Sequence, residues 1–377
     1  MIDVDIIPNF YSKIINMSSS MEFSNTKILA IGLSCLDVVQ TCPYYPLEDI
    51  FRSIEYKWQR GGNSSNTCTV LSLLGNLCEF LGVFSTEEHF NYLQNDMKKY
   101  NIDFSHCPKI KNIGCPISTV ILSLSTGSRT ILHHNPGLPE LTLKDFIQLK
   151  LQNYSWIHFE GRNITEVLSM MQYIESYNKS IRLLNKQNIE KSDTWNTTIT
   201  ISLELEKFIP ELLDLLPYVD IVFISKDFAQ SRGYKNMSET LRNISAEAKP
   251  GTIIICAWSD RGAMARTSDG VTVQSPAFPP QKIIDTLGAG DTFNAGVIHY
   301  LNKVKISAEN KNMGSSNSPV EKSQLKEHDI KNSKFSQTEF INQDILQAAI
   351  TFACHVAGTK IGMKGYDGLE KIFTKFE

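Results

Sequence analysis

Asp285-Thr-Leu-Gly-Ala-Gly-Asp-Thr-Phe-Asn-Ala-Gly296 sets three small residues and an acid directly ahead of an apolar, alanine-containing stretch. Gly288-Ala289-Gly290 can turn sharply and let backbone come close to a ligand. A helix opening at Asp291-Thr292 would offer free N–H groups and its positive end to a phosphoryl group in transit. A carboxylate at Asp291, placed where phosphate and an alcohol meet, can accept the proton of an attacking hydroxyl. Glycine turns with aspartate as a plain helix cap share the first four residues of this pattern. The flanking Asp285-Thr286 and Thr292-Phe293-Asn294 make the full string far more specific.

Outward from this stretch, short apolar runs alternate with segments of helical spacing. Ile28-Leu-Ala-Ile-Gly-Leu, Trp156-Ile-His-Phe, Thr198-Ile-Thr-Ile-Ser-Leu, Val219-Asp-Ile-Val-Phe-Ile-Ser and Thr252-Ile-Ile-Ile-Cys-Ala-Trp read as buried strands. Helical spacing between them, as in Glu166-Val-Leu-Ser-Met-Met-Gln-Tyr-Ile, predicts an α/β fold: a central, mostly parallel sheet with helices on both faces. Residues 38–60 and 113–135 break the rhythm. They are rich in β-branched and aromatic residues and predict antiparallel strands of a small lid, with a hairpin about Thr126-Gly127. Residues 1–26 read as a flexible leader and 27–377 as one folded unit. Residues 303–340 read as a disordered low-complexity insertion, and residues 183–197 as a smaller polar loop.

The bulk properties limit the function. The 377 residues are 42% hydrophobic and 20% charged, with a net charge of -3. That balance gives no reason to expect nucleic acid or an anionic membrane as partner, so any site for an anion is local. No apolar run approaches the roughly 20 residues of a membrane helix, and the start lacks the basic-then-apolar pattern of a secretory signal. The expected location is the cytoplasm. Eight cysteines without a C-x-x-C pair predict buried free thiols in a reducing compartment. No G-x-G-x-x-G follows the first strand and no G-x-x-x-x-G-K-S/T occurs, which argues against a dinucleotide dehydrogenase and a P-loop enzyme. His133 and His134 alternate across a predicted strand and cannot readily share one ion.

Arg60-Gly-Gly-Asn-Ser-Ser-Asn66 supplies a second motif, a glycine turn that delivers two asparagines able to donate to and accept from hydroxyls. With the Asp285–Gly296 string, it resembles the paired signatures of the ribokinase-like (PfkB) carbohydrate kinases. The resemblance runs from about residue 21 to 367, outside the two polar loops. Further segments match in the same order: Ile31-Gly-Leu-Ser-Cys-Leu-Asp37-Val, Gly127-Ser-Arg-Thr-Ile-Leu, Trp156-Ile-His-Phe-Glu-Gly-Arg-Asn, Val222-Phe-Ile-Ser-Lys-Asp, Cys256-Ala-Trp and Val356-Ala-Gly. They are most similar to the branch that phosphorylates fructose on its C1 hydroxyl.

The resemblance implies a ribokinase-like fold, ATP and fructose as substrates, Mg²⁺, a monovalent cation such as K⁺, and a homodimer through the lid. It implies Asp291 as general base with Gly288, Ala289 and Gly290 as anion hole. Asp37, at the end of the first strand, would bind sugar hydroxyls as an ionised acceptor, with Gly62, Asn63 and Asn66 completing that site and Arg129 reaching over from the lid. Lys226, Trp258, Asp260, Gly262 and Cys354 would line the nucleotide pocket, beside the Gly288 turn. Trp258 and Cys354 also suit plain core packing, and Arg129 a solvated strand. Where many members of the family carry N-x-x-E for the metal, this chain reads Ser225-Lys226-Asp227-Phe228-Ala229, which leaves the metal-positioning residues open. Kinases of ribose or adenosine, and a catalytically silent sugar-binding homologue, share the same fold and stay as alternatives.

Overall fold

Lys-Ile-Leu-Ala-Ile, the first strand β1 (Lys27–Ile31), is buried from Ile28 onward, as a strand covered on both faces must be. The computed structural model describes residues 26–47, 51–87, 89–126, 128–187, 197–314 and 337–373. The predicted leader lies outside them except for Thr26. Strands β4 (Cys78–Leu81), β9 (Tyr154–Glu160), β10 (Thr200–Leu205), β11 (Ile221–Ile224) and β12 (Ile253–Ala257) are likewise apolar and join β1 in parallel. Two antiparallel strands, β13 (Ala263–Arg266) and β14 (Thr272–Ser275), extend one edge, giving the order β14-β13-β12-β11-β10-β9-β1-β4. Strands β5 (Phe84–Ser85) and β6 (Lys109–Ile110) form a separate short pair.

Helices cover both faces. Helices α1 (Asn63–Leu73), α6 (Ala289–Gly314) and α7 (Gln343–Ile361) pack with Phe80, Trp156, Phe223 and Ile255 on one side. On the other, α3 (Ile164–Gln187) and α5 (Met237–Glu247) pack with Phe159, Leu203, Val222 and Ile254. Each such side chain contributes roughly 1.5–3 kcal/mol by leaving water. Two shorter helices, α2 (Phe90–Lys99) and α4 (Lys226–Ser231), lie beside the lid and at the end of β11. No described helix is long and apolar enough to cross a membrane, and all eight cysteines are unpaired and buried.

The lid consists of β2 (Cys35–Cys42), β3 (Glu55–Gly61), β7 (Ile117–Ser123) and β8 (Arg129–His134), in the order β3-β2-β7-β8. It is not wholly antiparallel as predicted: β2 and β7 run parallel. The two strands start side by side, Leu36 N bonding the Pro116 carbonyl at 3.0 Å, and the long crossover between them is what a parallel pair requires. The hairpin pairs Leu122 with Arg129; its Gly127 lies outside the described residues.

Two predicted loop boundaries move. Helix α6 continues to Gly314, so residues 303–314 are helical rather than the start of an insertion. Lys305, which read as loop polarity, is buried and donates to the Ser155 carbonyl (2.8 Å) and Thr200 Oγ1 (3.0 Å). Thr338, at the other end of the predicted insertion, is buried and bonds the Gly251 carbonyl at 2.7 Å. Residues 315–336 lie outside the described residues. Helix α3 likewise reaches Gln187, into the predicted 183–197 loop, whose residues 188–196 are also not described.

Candidate active site

The chain leaves β1 toward β4 on one side and meets β9 on the other. A crevice opens at the carboxyl ends of strands where such a sheet reverses direction. Gly32 and Glu160 stand there. A Cβ on Gly32 would collide with the Glu160 carboxylate, so only glycine lets the chain pass. Glu160 accepts from Leu33 N (2.9 Å), Lys207 Nζ (2.7 Å) and Arg162 Nη1 (3.3 Å). Burial pushes its carboxyl upward, but Lys207 and Arg162 outweigh that and hold it down at about 2.

The Gly61-Gly62 turn comes next. Gly62 has φ +99°, and a Cβ there would strike the Leu33 carbonyl. Arg60 is buried; it locks the start of α1 by donating to Ser65 O (2.8 Å) and Ser65 Oγ (2.7 Å), and it reaches Asp96 on α2 (2.7 Å). The two predicted asparagines are thereby fixed. Asn63 Nδ2 donates to Glu204 (3.1 Å) and Glu206 (2.6 Å), and Asn66 Nδ2 donates to Asp291 Oδ2 at 2.8 Å. Asn66 Oδ1 is buried without a hydrogen-bond partner among the described residues. Asp37 belongs to the lid strand β2 rather than to the end of β1, because β1 stops at Ile31 and the chain turns at Gly32. Its carboxylate covers Gly61, where a Cβ would meet both oxygens. Burial pushes Asp37 up to about 6, against hydrogen bonds from Ser118 and Cys35.

Helix α6 begins at Ala289, two residues earlier than the sequence suggested. Asp291 therefore sits inside the first turn, with its carboxylate turned to Asn66, and is not a helix cap. Gly288 has φ +76° and lies against the Tyr366 hydroxyl. Among the described residues, the N–H groups of Gly288, Gly290 and Asp291 carry no protein acceptor, the condition for holding an anion. Asp291 is only 7% exposed. Burial pushes it up to about 7; Asn66 and Arg129 pull it down, and the Glu206 and Glu160 charges push it further up. Arg129 reaches from β8 to within 3.4 Å of Thr286 Oγ1, and Val39 and Val120 of the lid pack on Leu287. The lid thus rests on the loop that carries the glycine turn.

The nucleotide-side residues gather less tightly. Lys226 is the first residue of α4, after β11, and Asp260 is exposed in the turn after β12. Trp258 is buried at the end of β12, and Gly262, with φ +78°, presses against the Ser275 carbonyl. Cys354 on α7 shares that neighbourhood through the Ser275 side chain, and burial pushes its thiol up to about 11. Lys226, Trp258, Asp260 and Gly262 follow the carboxyl ends of β11 and β12, Cys354 lies beside the end of β14, and none of the described hydrogen bonds ties them to Asp291.

Four residues went unread as site residues: Glu160, Glu204, Glu206 and Asn294. Glu204 is buried, and its carboxyl is pushed well above the usual range by burial, then by the Glu206 and Asp291 charges. Asn294 Nδ2 donates to it at 3.1 Å. An acid inside an apolar strand, as in Ser202-Leu-Glu-Leu-Glu-Lys207, was the available signal. Among the described residues no group of three or more His, Cys, Asp or Glu is arranged to hold a metal ion. Mg²⁺ commonly takes one or two carboxylates plus substrate phosphates, and Glu204 and Glu206 are paired carboxylates here, both accepting from Asn63.

This arrangement, a mostly parallel sheet with a strand lid closing on a glycine turn, is the ribokinase-like fold. Ribokinase from Giardia lamblia superposes with TM-score 0.69 at 14% identity, over 94% of this chain and all of that one. Ribokinase from Arabidopsis thaliana, complexed with ribose and ATP, superposes with TM-score 0.66 at 14% identity, over 93% and 98%. Residues 25–316 match the pfkB family of carbohydrate kinases. A ketohexokinase from Mus musculus is 37% identical over 344 residues, 91% of this chain and 98% of the relative. A 5-dehydro-2-deoxygluconokinase from Clostridium perfringens is 23% identical over 287 residues, 72% of this chain and 80% of the relative. The chain belongs to the pfkB family of carbohydrate kinases and is a phosphotransferase of that class.

Proposed function

We propose that this chain transfers the γ-phosphoryl group of ATP to the C1 hydroxyl of fructose. The observation that carries the reading is the Asn66–Asp291 hydrogen bond, 2.8 Å across 225 residues of chain. It joins the sugar-binding motif to the glycine turn, so an alcohol and a phosphoryl group would meet at one carboxylate. The 37% identity with a ketohexokinase supports fructose as the acceptor.

In this reading Asp37, Gly62, Asn63 and Asn66 hold the ketose, and Arg129 closes over it. Asp291 accepts the C1 proton while that oxygen attacks the γ-phosphorus in line and the bond from that phosphorus to the β-phosphate oxygen breaks, releasing ADP. The Gly288, Ala289 and Gly290 segment and the helix start receive the charge on the transferring group. Lys226, Trp258, Asp260, Gly262 and Cys354 border the nucleotide. Glu204 and Glu206 would hold Mg²⁺, which when bound offsets phosphate charge. Lid closure excludes water, the competing acceptor.

Competition among fructose, ribose and adenosine, with phosphorus NMR of the product, tests the assignment. Fructose is expected to be preferred and to carry phosphate on C1. Preferred turnover of ribose or adenosine, or no turnover of any of the three, overturns it.

We also propose that the lid pairs two copies of the chain. Trp58, Val38, Thr119 and Leu132 form a cross-strand row. Adjacent pairs in a strand point to opposite faces, so this row looks away from the Val39–Val120 side that packs on Leu287. Tyr56 is 54% and Leu132 61% exposed there. The mass in solution at micromolar concentration should be that of a dimer, and Leu132→Glu should halve it. A monomeric wild-type chain removes the proposal.

A further inference from the structure

Lys360 stands at the C-terminal end of α7, where lysine ordinarily reaches water, yet it is 0% exposed. Its ammonium donates to the Asp285 carbonyl at 3.0 Å and, over a shorter distance, to the Leu287 carbonyl. Asp285 Oδ1 lies 3.6 Å away, and the Tyr366 ring faces the ammonium with its centroid at 5.3 Å. The other charges acting on it are Lys57, from the lid, and Asp291.

Burying an ammonium group costs several kcal/mol unless its donors are satisfied. A neutral side chain could fill the same space without that cost, so the charge itself needs a reason. The reason lies in the peptide it grips. Every described peptide bond is trans, and in a trans peptide the C=O and N–H point in opposite directions. Drawing the Leu287 carbonyl toward Lys360 therefore turns the Gly288 N–H the other way. That N–H is one of the three at this turn without a protein acceptor. The Asp285 carboxylate accepts from Leu287 N within the loop (3.0 Å) and from Gly365 N in the chain after α7 (3.2 Å), so the loop is also pinned to the segment that follows α7. The contrast is Lys305, also buried, which bonds Ser155, Thr198 and Thr200 within β9 and its surroundings and touches none of the site residues.

We infer that Lys360 is a positioning residue for phosphoryl transfer: its ammonium fixes the Asp285 and Leu287 carbonyls so that the Gly288 N–H faces the transferring group. Lys360 touches no reactant and acts only through the backbone. The inference rests on the proposed role of the glycine turn as anion hole.

Lys360→Met keeps most of the volume and removes the charge; Lys360→Ala leaves room for a small cation. Both are assayed with ATP and fructose beside the wild-type chain. The Met variant is expected to lose about 100-fold in kcat, the usual scale for a group displaced by an ångström, with fructose and nucleotide affinity within threefold. The Ala variant should lose as much and regain at least tenfold with millimolar methylammonium, while the Met variant, its cavity filled, should not respond. A Met variant with near-normal kcat, affinity falling in step with kcat, no rescue of a folded Ala variant, or loss of folding in both variants would each overturn the inference. A wild-type chain inactive on every sugar would instead overturn the kinase reading on which it rests.

Discussion

Asp291→Asn is expected to lower kcat for fructose phosphorylation by about 10²–10⁴-fold, the usual worth of a positioned general base, and to leave fructose affinity within a few fold. The amide is isosteric, and its oxygen still accepts the hydrogen bond that Asn66 Nδ2 now gives the carboxylate. What disappears is the capacity to take a proton. The pH dependence adds a second readout. Burial pushes Asp291 up to about 7 and Asp37 up to about 6. A carboxylate accepts a proton only when ionised, so raising its pKa moves the loss of activity to higher pH. In the wild-type chain kcat/KM should therefore rise across roughly pH 5–8, along a limb shared by both groups. In the Asn variant the upper part of that limb should vanish. Near-normal kcat, or an unchanged pH profile in the variant, removes Asp291 from the chemistry.

Gly288→Ala is expected to lower kcat by about 100-fold, on the scale of an ångström-sized displacement of a catalytic group. Two separate costs arise. At φ +76° an alanine is strained by about 1–2 kcal/mol. Its Cβ would also collide with the Tyr366 hydroxyl and come within 3.1 Å of the ring carbon bearing it. Tyr366 is itself buried and cannot swing into solvent. Adding Tyr366→Phe deletes the colliding oxygen but not the backbone strain, so the double variant should recover part of the activity and no more. Full activity in Gly288→Ala alone would mean that this turn does not need its backbone conformation. Thermal unfolding of each variant separates lost activity from lost structure.

The strands of the main sheet were legible where burial on both faces gave a mainly apolar stretch with few polar interruptions, as in β1, β9, β10, β11 and β12. Strands β4, β13 and β14 were missed because each is only four residues long and carries polar positions. The direction of β7 against β2 was not readable, since it depends on where the chain leaves the core and not on any local residue. In the site, the glycine motifs and their asparagines announced themselves through turn chemistry. Asp37 was placed on the wrong strand, because Gly32 reads equally well as the end of a strand or as a bend between two. Lys360 was invisible: a lysine in the last turn of a helix looks like a favourable interaction with the helix end, and only the fold of the distant Asp285 loop over it reveals that it is buried.

Between β1 and β2 there are three residues, and between β3 and α1 one, Gly62. Two of the lid's ties to the core are therefore short segments, flanked by Asp37 on one side and by Asn63 on the other. At these two junctions no length of slack insulates the lid from Asp37 and Asn63, the groups proposed to hold the ketose. On the proposed function, opening and loading are a single mechanical event, and a substitution that merely stiffens either junction is expected to alter sugar affinity and turnover together.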